Sequence, residues 1–146
     1  MTPRDPGFEA RVRESFARQA VMDYLGATMT RVEPGLVEIE LPFRPELTQQ
    51  HGYFHGGVVA IIADSAAGYA GYSMMPTDSS VLSVEYKINM VAPADGDRLR
   101  ATGQVVRSGR TLTVCEFRVT VTKDGAETVC AIGTETVMCL MGRPDR

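Results

Sequence analysis

The sequence predicts an α+β fold in which a curved antiparallel sheet of five to six strands wraps around a long central helix. Residues 56–74 are apolar or small over a helical length and have no polar face, so this helix must be buried on nearly all sides. From residue 80 onward the chain alternates with the two-residue period of strands, interrupted by tight-turn sequences. The length of 146 residues fits one domain, residues 1–146, in which a sheet curled around the helix buries both.

An amphipathic helix is predicted first, over about residues 8–25, because apolar side chains recur at helical spacing from Phe8 onward. Gly26 is typical of a helix C-terminus. The core then extends over about residues 27–141 and begins with two strands joined by Pro34-Gly35, which favours a type II turn. Two strands and a polar loop precede the central helix: 27–32, 36–42 and 43–54.

Four strands are predicted after the central helix: 80–91, 98–107, 111–123 and 127–140. The last three are joined by short turns, including Asp124-Gly125, so they form an antiparallel meander. In the first of the four, alternation divides the side chains between two faces. One face carries Ser83, Glu85, Lys87 and Asn89, and the other carries Leu82, Val84, Tyr86, Ile88 and Met90.

Composition excludes several classes of protein. A hydrophobic content of 44% argues against disorder, and a net charge of −3 argues against a nucleic-acid partner. The longest purely apolar run, residues 58–63, ends at Asp64, far short of the ~20 residues of a membrane span. The N-terminus has no apolar signal segment, and the three cysteines lack metal-site spacing, so we expect a cytoplasmic protein with reduced, packed cysteines and no metal.

The candidate chemistry lies at the start of the central helix and within it. Gln49, His55 and Gly56 precede or open the helix, whose free N–H groups can stabilise a developing oxyanion. Asp64 lies eight residues into the same apolar helix, where an unpaired carboxylate is costly. His55 as a helix cap and Asp64 as a carboxylate bonded to nearby hydroxyl or backbone groups are the structural alternatives to catalytic roles.

Geometry sets a condition on the two groups. Gly56 and Asp64 are separated by about 12 Å along one helix at 1.5 Å per residue. A single helix therefore cannot place both on one carbonyl group, whereas two antiparallel copies can. If both residues are catalytic, the enzyme is a homodimer with two sites at a symmetric seam.

The stretch from Gln49 to Asp64, Gln-Gln-His-Gly-Tyr-Phe-His-Gly-Gly-Val-Val-Ala-Ile-Ile-Ala-Asp, resembles the signature of the hotdog-fold acyl-CoA thioesterases. It is most similar to the PaaI-like group, which includes phenylacetyl-CoA and 4-hydroxybenzoyl-CoA thioesterases. The resemblance runs from about residue 22 to 140 and includes residues 84–94 and the 106–111 turn. It implies the hotdog architecture and hydrolysis of an acyl-CoA to free acid and CoA.

The resemblance also implies roles for individual residues. The Gly56 N–H, with Gln49 nearby, would polarise the thioester carbonyl, and Asp64 of the partner subunit would be the nucleophile or the general base. Ser83 would help to hold the water or the carboxylate, unless it is an ordinary strand serine, and His55 would orient the loop and the substrate. Relatives carry Asn or Gln at position 49 and Asp or Glu at position 64, so this Gln/Asp pair leaves attack by the carboxylate or by water open.

The substrate provides the remaining implied contacts. CoA carries phosphates that need cations, and relatives contact its nucleotide portion at the turn flanked by Arg107 and Arg110. The implied substrate and CoA contacts are Gly57, Val84, Arg107, Ser108, Gly109 and Arg110. CoA is part of the substrate, so no cofactor is implied. A homodimer is expected, and relatives usually form a homotetramer.

Two other functions stay open at this point. A non-catalytic acyl-CoA-binding hotdog protein would bind such esters without turnover. A hotdog dehydratase or hydratase would pair a catalytic histidine with the helix carboxylate, although His55 lies at the thioesterase position. The acyl group itself is open between aromatic and medium- or long-chain aliphatic acids.

Overall fold

The structure is a computed structural model that describes residues 1–143 and 145; the last residue of the predicted domain, 146, lies outside the described residues. The α-helices in this part of the chain are α1 (Phe8–Ala17), α2 (Ala20–Leu25) and α3 (Gly56–Tyr72), and a short 3₁₀-helix spans Pro45–Leu47. The strands are β1 (Thr28–Glu33), β2 (Leu36–Pro42), β3 (Ser79–Met90), β4 (Arg98–Ser108), β5 (Leu112–Lys123) and β6 (Ala126–Met141).

The six strands form one antiparallel sheet in the order β1-β2-β4-β5-β6-β3. The predicted meander is confirmed, since β4, β5 and β6 are consecutive neighbours. Gly35, Asp124 and Gly125 have the positive φ angles that their hairpin turns need. β3 crosses over and pairs with β6, which leaves its other side as an edge of the sheet.

α3 lies against the sheet and packs on β2, β3, β4, β5 and β6, so the predicted hotdog architecture is confirmed. The small residues of the helix allow this close approach. At Gly103 on β4, an added Cβ would lie 2.3 Å from the carbonyl oxygen of Ala66, so only glycine fits where the helix crosses the strand. The N-terminal half of α3 is only partly covered, whereas residues 65–75 are buried throughout.

The predicted N-terminal helix over residues 8–25 is wrong in one respect, because it is two helices. The chain leaves the helical conformation at Gln19, whose ψ is 97°, and α2 begins at the next residue. Gln19 Oε1 accepts a hydrogen bond of 3.2 Å from the Ser65 hydroxyl on α3. The break thus brings a polar side chain onto the central helix. Gly26 ends α2 with a φ of 81°, as predicted.

A half-buried cation secures the end of α3. The Arg11 guanidinium donates to the Met75 carbonyl oxygen at 2.9 Å and to Asp5 at 2.8 Å, and it lies 4.2 Å above the centre of the Tyr72 ring. Burial raises the pKa of Asp5, but the hydrogen bonds from Arg11 and the Gly7 N–H outweigh it, so the pKa is lowered. Among the described residues, no helix is both long and apolar enough to cross a membrane.

Candidate active site

The start of α3 and the loop before it form one half of the candidate site. Gly56 is the first residue of the helix, and its N–H finds no acceptor among the described residues. Gln49 Oε1 accepts from the backbone N–H groups of His51 and Tyr53, which fixes the amide within its own loop. Gln49 and Gly56 line the same cavity of about 190 Å³, together with Met90 of β3. The free Gly56 N–H and the side chain of Gln49 therefore lie around one cavity.

His55 has a capping role in the structure. Its Nδ1 accepts a hydrogen bond of 2.8 Å from the Gly57 N–H, which makes His55 the N-cap of α3. Gly57, implied above as a substrate contact, therefore has its N–H engaged by His55. Because His55 and Gly57 satisfy each other, Gly56 is the residue whose N–H is left for a ligand at this end.

The second half of the candidate site is a cluster of three oxygen-bearing side chains. The Ser83 hydroxyl lies 2.8 Å from Asp64 Oδ1 and 2.8 Å from Glu135 Oε1. Asp64 and Ser83 line a second cavity of about 330 Å³, which also includes Gln19 and Ser65. Asp64 is partly exposed to this cavity, whereas Glu135 is 0% exposed.

Ser83 reaches this cluster because of an irregularity that simple alternation does not predict. The pairing of β3 with β6 shifts between Ser83 and Glu85, so Val84 is an extra, bulged residue. The predicted common face for Ser83 and Glu85 is therefore wrong. Ser83 points at α3, while Glu85 accepts from Thr136 in the next register position. Beyond the bulge the phase is reversed, and Ile88 packs against the core.

A row of exposed apolar side chains lies along the free edge of β3. Val84 itself is 52% exposed, and its neighbours are comparably open. The exposed apolar residues of this edge are Leu82, Val84, Tyr86, Met90 and Val91. A long apolar edge strand of this kind is a template for pairing with another chain.

The implied CoA turn lies near the start of β3, at the opposite end of this strand from Gly56. Leu112, just after the turn, pairs with Met138, and Val81 pairs with Cys139, so the turn is at the beginning of β3. Gly56 instead lies beside Met90, at the end of β3. Arg107 and Arg110 are exposed, Ser108 ends β4, and the Gly109 N–H donates to the Leu112 carbonyl. Within one chain the turn and the Gly56 cavity are therefore not brought together.

Glu135 is the site residue that the sequence reasoning missed. Along β6 the inward positions include Ala131, Val137 and Cys139, all buried and apolar. A glutamate in that phase was a signal that period-two alternation would have revealed. Burial, and to a smaller extent the neighbouring charge of Asp64, raises the pKa of Glu135 to about 9. Among the described residues, no group of three or more side chains is arranged to hold a metal ion.

The comparisons with known proteins agree on one family. A family model described as "Thioesterase superfamily" matches residues 51–128. A crystal structure of a thioesterase family protein from Silicibacter pomeroyi is 46% identical and superposes with a TM-score of 0.92, covering 93% of this chain and 100% of that one. The 1,4-dihydroxy-2-naphthoyl-CoA hydrolase of Listeria monocytogenes is 26% identical over 68% of this chain and 81% of its own. The Escherichia coli PaaI protein shares the fold, with a TM-score of 0.83 at 20% identity, over 94% of this chain and 96% of its own.

Proposed function

The chain belongs to the thioesterase superfamily and is a thioester hydrolase, and from this premise we propose that it hydrolyses an acyl-CoA at sites shared between two subunits. In each site the Gly56 N–H and Gln49 of one subunit hold the thioester oxygen. Asp64 of the partner subunit attacks the carbonyl carbon or activates the attacking water. The observation that carries the proposal is the division of Gly56 and Asp64 between two separate cavities of one chain.

The oxyanion half of the proposal is supported by the free N–H of Gly56. Thioester hydrolysis builds negative charge on the carbonyl oxygen, and the N-terminus of a helix stabilises such charge. Gln49 Oε1 is already bound to backbone N–H groups, so the donating Nε2 is the part of the amide that remains for a substrate oxygen. The proposed chemistry uses these donors, Asp64 and water, without a metal or redox cofactor.

The homodimer is supported by the apolar edge of β3. Pairing two such edges around a twofold axis would continue the sheet and cover Val84, Tyr86 and their neighbours. The same operation would turn the two α3 helices antiparallel to each other. Gly56 of one copy would then approach Asp64 of the other, which satisfies the condition derived from their ~12 Å separation.

A CoA ester as the substrate is supported by a relative and by charge. The Listeria relative is named as a CoA hydrolase, and we extend that substrate class to this chain. Arg107 and Arg110 are exposed guanidinium groups suited to CoA phosphates. Because their turn lies far from Gly56 of the same chain, we propose that they serve the site completed by their own Asp64. Replacing both arginines by alanine should raise KM for acyl-CoA severalfold with little effect on kcat, whereas hydrolysis of a thioester that lacks the nucleotide should not change.

Mixing two inactive variants tests the shared site. Asp64→Asn removes the carboxylate and should reduce kcat by ~10²–10⁴-fold. Gln49→Ala removes one oxyanion donor and should reduce kcat by ~10²–10³-fold. When the two variants are unfolded, mixed in equal amounts and refolded together, a mixed dimer contains one intact site and one doubly altered site.

Random pairing makes half of the dimers mixed, so about a quarter of the wild-type activity should return. Refolding each variant alone is the control and should return only that variant's own residual activity, about 1% of the wild type or less. If each chain contains a complete site, no mixture recovers activity, and that result would reject the proposal. Activity is measured as thiol release from a panel of aryl- and alkyl-CoA esters, which also identifies the acyl class.

A further inference from the structure

The Asp64–Ser83–Glu135 cluster contains a proton that ordinary ionisation states do not supply. Ser83 Oγ lies 2.8 Å from Asp64 Oδ1 and 2.8 Å from Glu135 Oε1. A serine hydroxyl has one hydrogen to donate, so it can satisfy only one carboxylate oxygen. Two ionised carboxylates would leave the second contact as a repulsion between lone pairs. One of the two carboxyl groups must therefore carry a proton and donate it to Ser83 Oγ.

Burial assigns that proton to Glu135. Glu135 is 0% exposed, and its Oε2 is buried with no hydrogen-bond partner among the described residues. Asp64 is partly exposed and lines a cavity, where water can solvate its charge. An ionised carboxylate with an unpartnered buried oxygen is far more costly than a neutral one. The carboxyl without access to solvent is the one that stays neutral.

We propose that Glu135 is a positioning residue that remains protonated in the working enzyme, donates to Ser83, and so directs the Ser83 hydroxyl at an ionised Asp64. The proposal rests on the proposed function in that Asp64 is taken as the reacting carboxylate. Glu135 donates to Ser83, and Ser83 in turn donates to Asp64. It orients Asp64 by one oxygen and leaves the other for the substrate or water. Glu135 itself touches neither.

The other groups facing Glu135 are consistent with this assignment. Asp64 on α3 and Glu85 on β3 are acidic and raise the pKa of Glu135, as burial does to a greater extent. Cys115 on β5 is a buried thiol whose own pKa is raised by burial to about 12, so it is neutral wherever the enzyme would be assayed. The Ser83 hydroxyl is the one facing group that lowers the pKa of Glu135.

Two substitutions at position 135 separate positioning from packing. Glu135→Gln keeps the size of the side chain and an N–H donor for Ser83, and it cannot ionise. Glu135→Met keeps a similar volume and has no donor. We expect Glu135→Gln to retain kcat within about twofold at neutral pH, and Glu135→Met to lose roughly 10- to 100-fold in kcat with KM little changed, as expected for losing a hydrogen bond that serves a charged group.

The pH profile of kcat provides a readout that packing would not move. In the wild type, kcat should fall in the alkaline range as Glu135 ionises, with a midpoint near its pKa of about 9. Glu135→Gln should lack this alkaline decline. An alkaline decline that is the same in the wild type and in Glu135→Gln would overturn the proposal, as would equal losses of kcat in the Gln and Met variants.

Protonation is also measured without turnover. In the wild-type protein labelled with ¹³C at the glutamate side-chain carboxyl carbons, NMR should show one signal that keeps the chemical shift of a neutral carboxyl at pH 7. That signal should be absent from Glu135→Gln. A Glu135 signal with the shift of an ionised carboxylate at pH 7 overturns the proposal. If no thioester is hydrolysed, the proposed function fails while the NMR result still decides the state of Glu135.

Discussion

Replacing Glu135 by glutamine should make the protein more stable as the pH rises, relative to the wild type. In the unfolded chain a glutamate has a pKa of ~4.3. In the folded protein burial raises the pKa of Glu135 to about 9. Between these two values the unfolded chain has released its proton and the folded chain has kept it. The folded wild type is therefore destabilised by each rise in pH across this interval, and the glutamine variant is free of that effect.

The magnitude follows from proton linkage. Where the folded state holds one more proton than the unfolded state, the free energy of unfolding falls by about 1.36 kcal/mol per pH unit. From pH 6 to pH 8 the wild type should thus lose about 2.7 kcal/mol relative to Glu135→Gln. This is a large fraction of the ~5–15 kcal/mol that stabilises an ordinary domain. The amide of the variant keeps a donor to Ser83, and any packing difference it introduces does not change with pH.

Urea unfolding at half-unit pH steps from 6 to 8 measures the difference, at one protein concentration so that subunit association is held constant. Glu46→Gln is the matched control, because Glu46 is exposed on the loop before α3. It should show no such slope. If the difference between the wild type and Glu135→Gln does not change with pH, Glu135 has the same protonation in both states and the reasoning about its burial is refuted.

Two further predictions concern stability. Gly103→Ala should destabilise the protein by at least ~1–3 kcal/mol, because its Cβ would lie 2.3 Å from the Ala66 carbonyl oxygen. Gly68→Ala is the control, since its Cβ meets nothing closer than 4.0 Å. Equal urea-unfolding midpoints for the two variants would contradict the close crossing of α3 over β4 at Gly103. Asp5→Asn should cost ~1–3 kcal/mol at neutral pH by removing the charged partner of Arg11. Because the pKa of Asp5 is lowered in the folded state, this cost should be constant above about pH 4 and shrink below it. Urea unfolding of the wild type and Asp5→Asn at pH 7 and pH 3 measures this cost at each pH. A loss of unfolding free energy in Asp5→Asn that is as large at pH 3 as at pH 7 would show that the ion pair with Arg11 is not its source.

The elements of the fold were largely predictable because each has a local cause. The apolar segment at 56–74 has the composition of a buried helix, and it forms α3, Gly56–Tyr72. Turn residues such as Asp124-Gly125 predicted the strand boundaries, and the meander followed from them. The break at Gln19 was not predictable in the same way. It depends on a contact with Ser65, which lies 46 residues away along the chain.

The site was predictable only where its residues are neighbours in sequence. Gln49, His55 and Gly56 belong to one loop and one helix turn, and the structure brings them to the same end of α3. Glu135 joins Asp64 through strand pairing between β3 and β6, which no local pattern specifies. The bulge at Val84 adds a second non-local condition. Without the bulge, Ser83 and Ile88 would lie on opposite faces of β3. Ser83 could then point at the helix or Ile88 could be buried in the core, but not both.

The same bulge explains why a buried glutamate is tolerated beside a reacting carboxylate. Two ionised carboxyl groups placed close together in an apolar interior repel, so one of them stays protonated. With the Ser83 hydroxyl between them, each carboxyl has one hydrogen bond: protonated Glu135 donates to Ser83 Oγ, and the Ser83 hydroxyl donates its own hydrogen to Asp64. The buried group then carries no charge, and the charge is held at the group that faces the cavity. An apolar residue at position 135 would relieve the cost of burial, but Ser83 would then lose the donor that sets its direction.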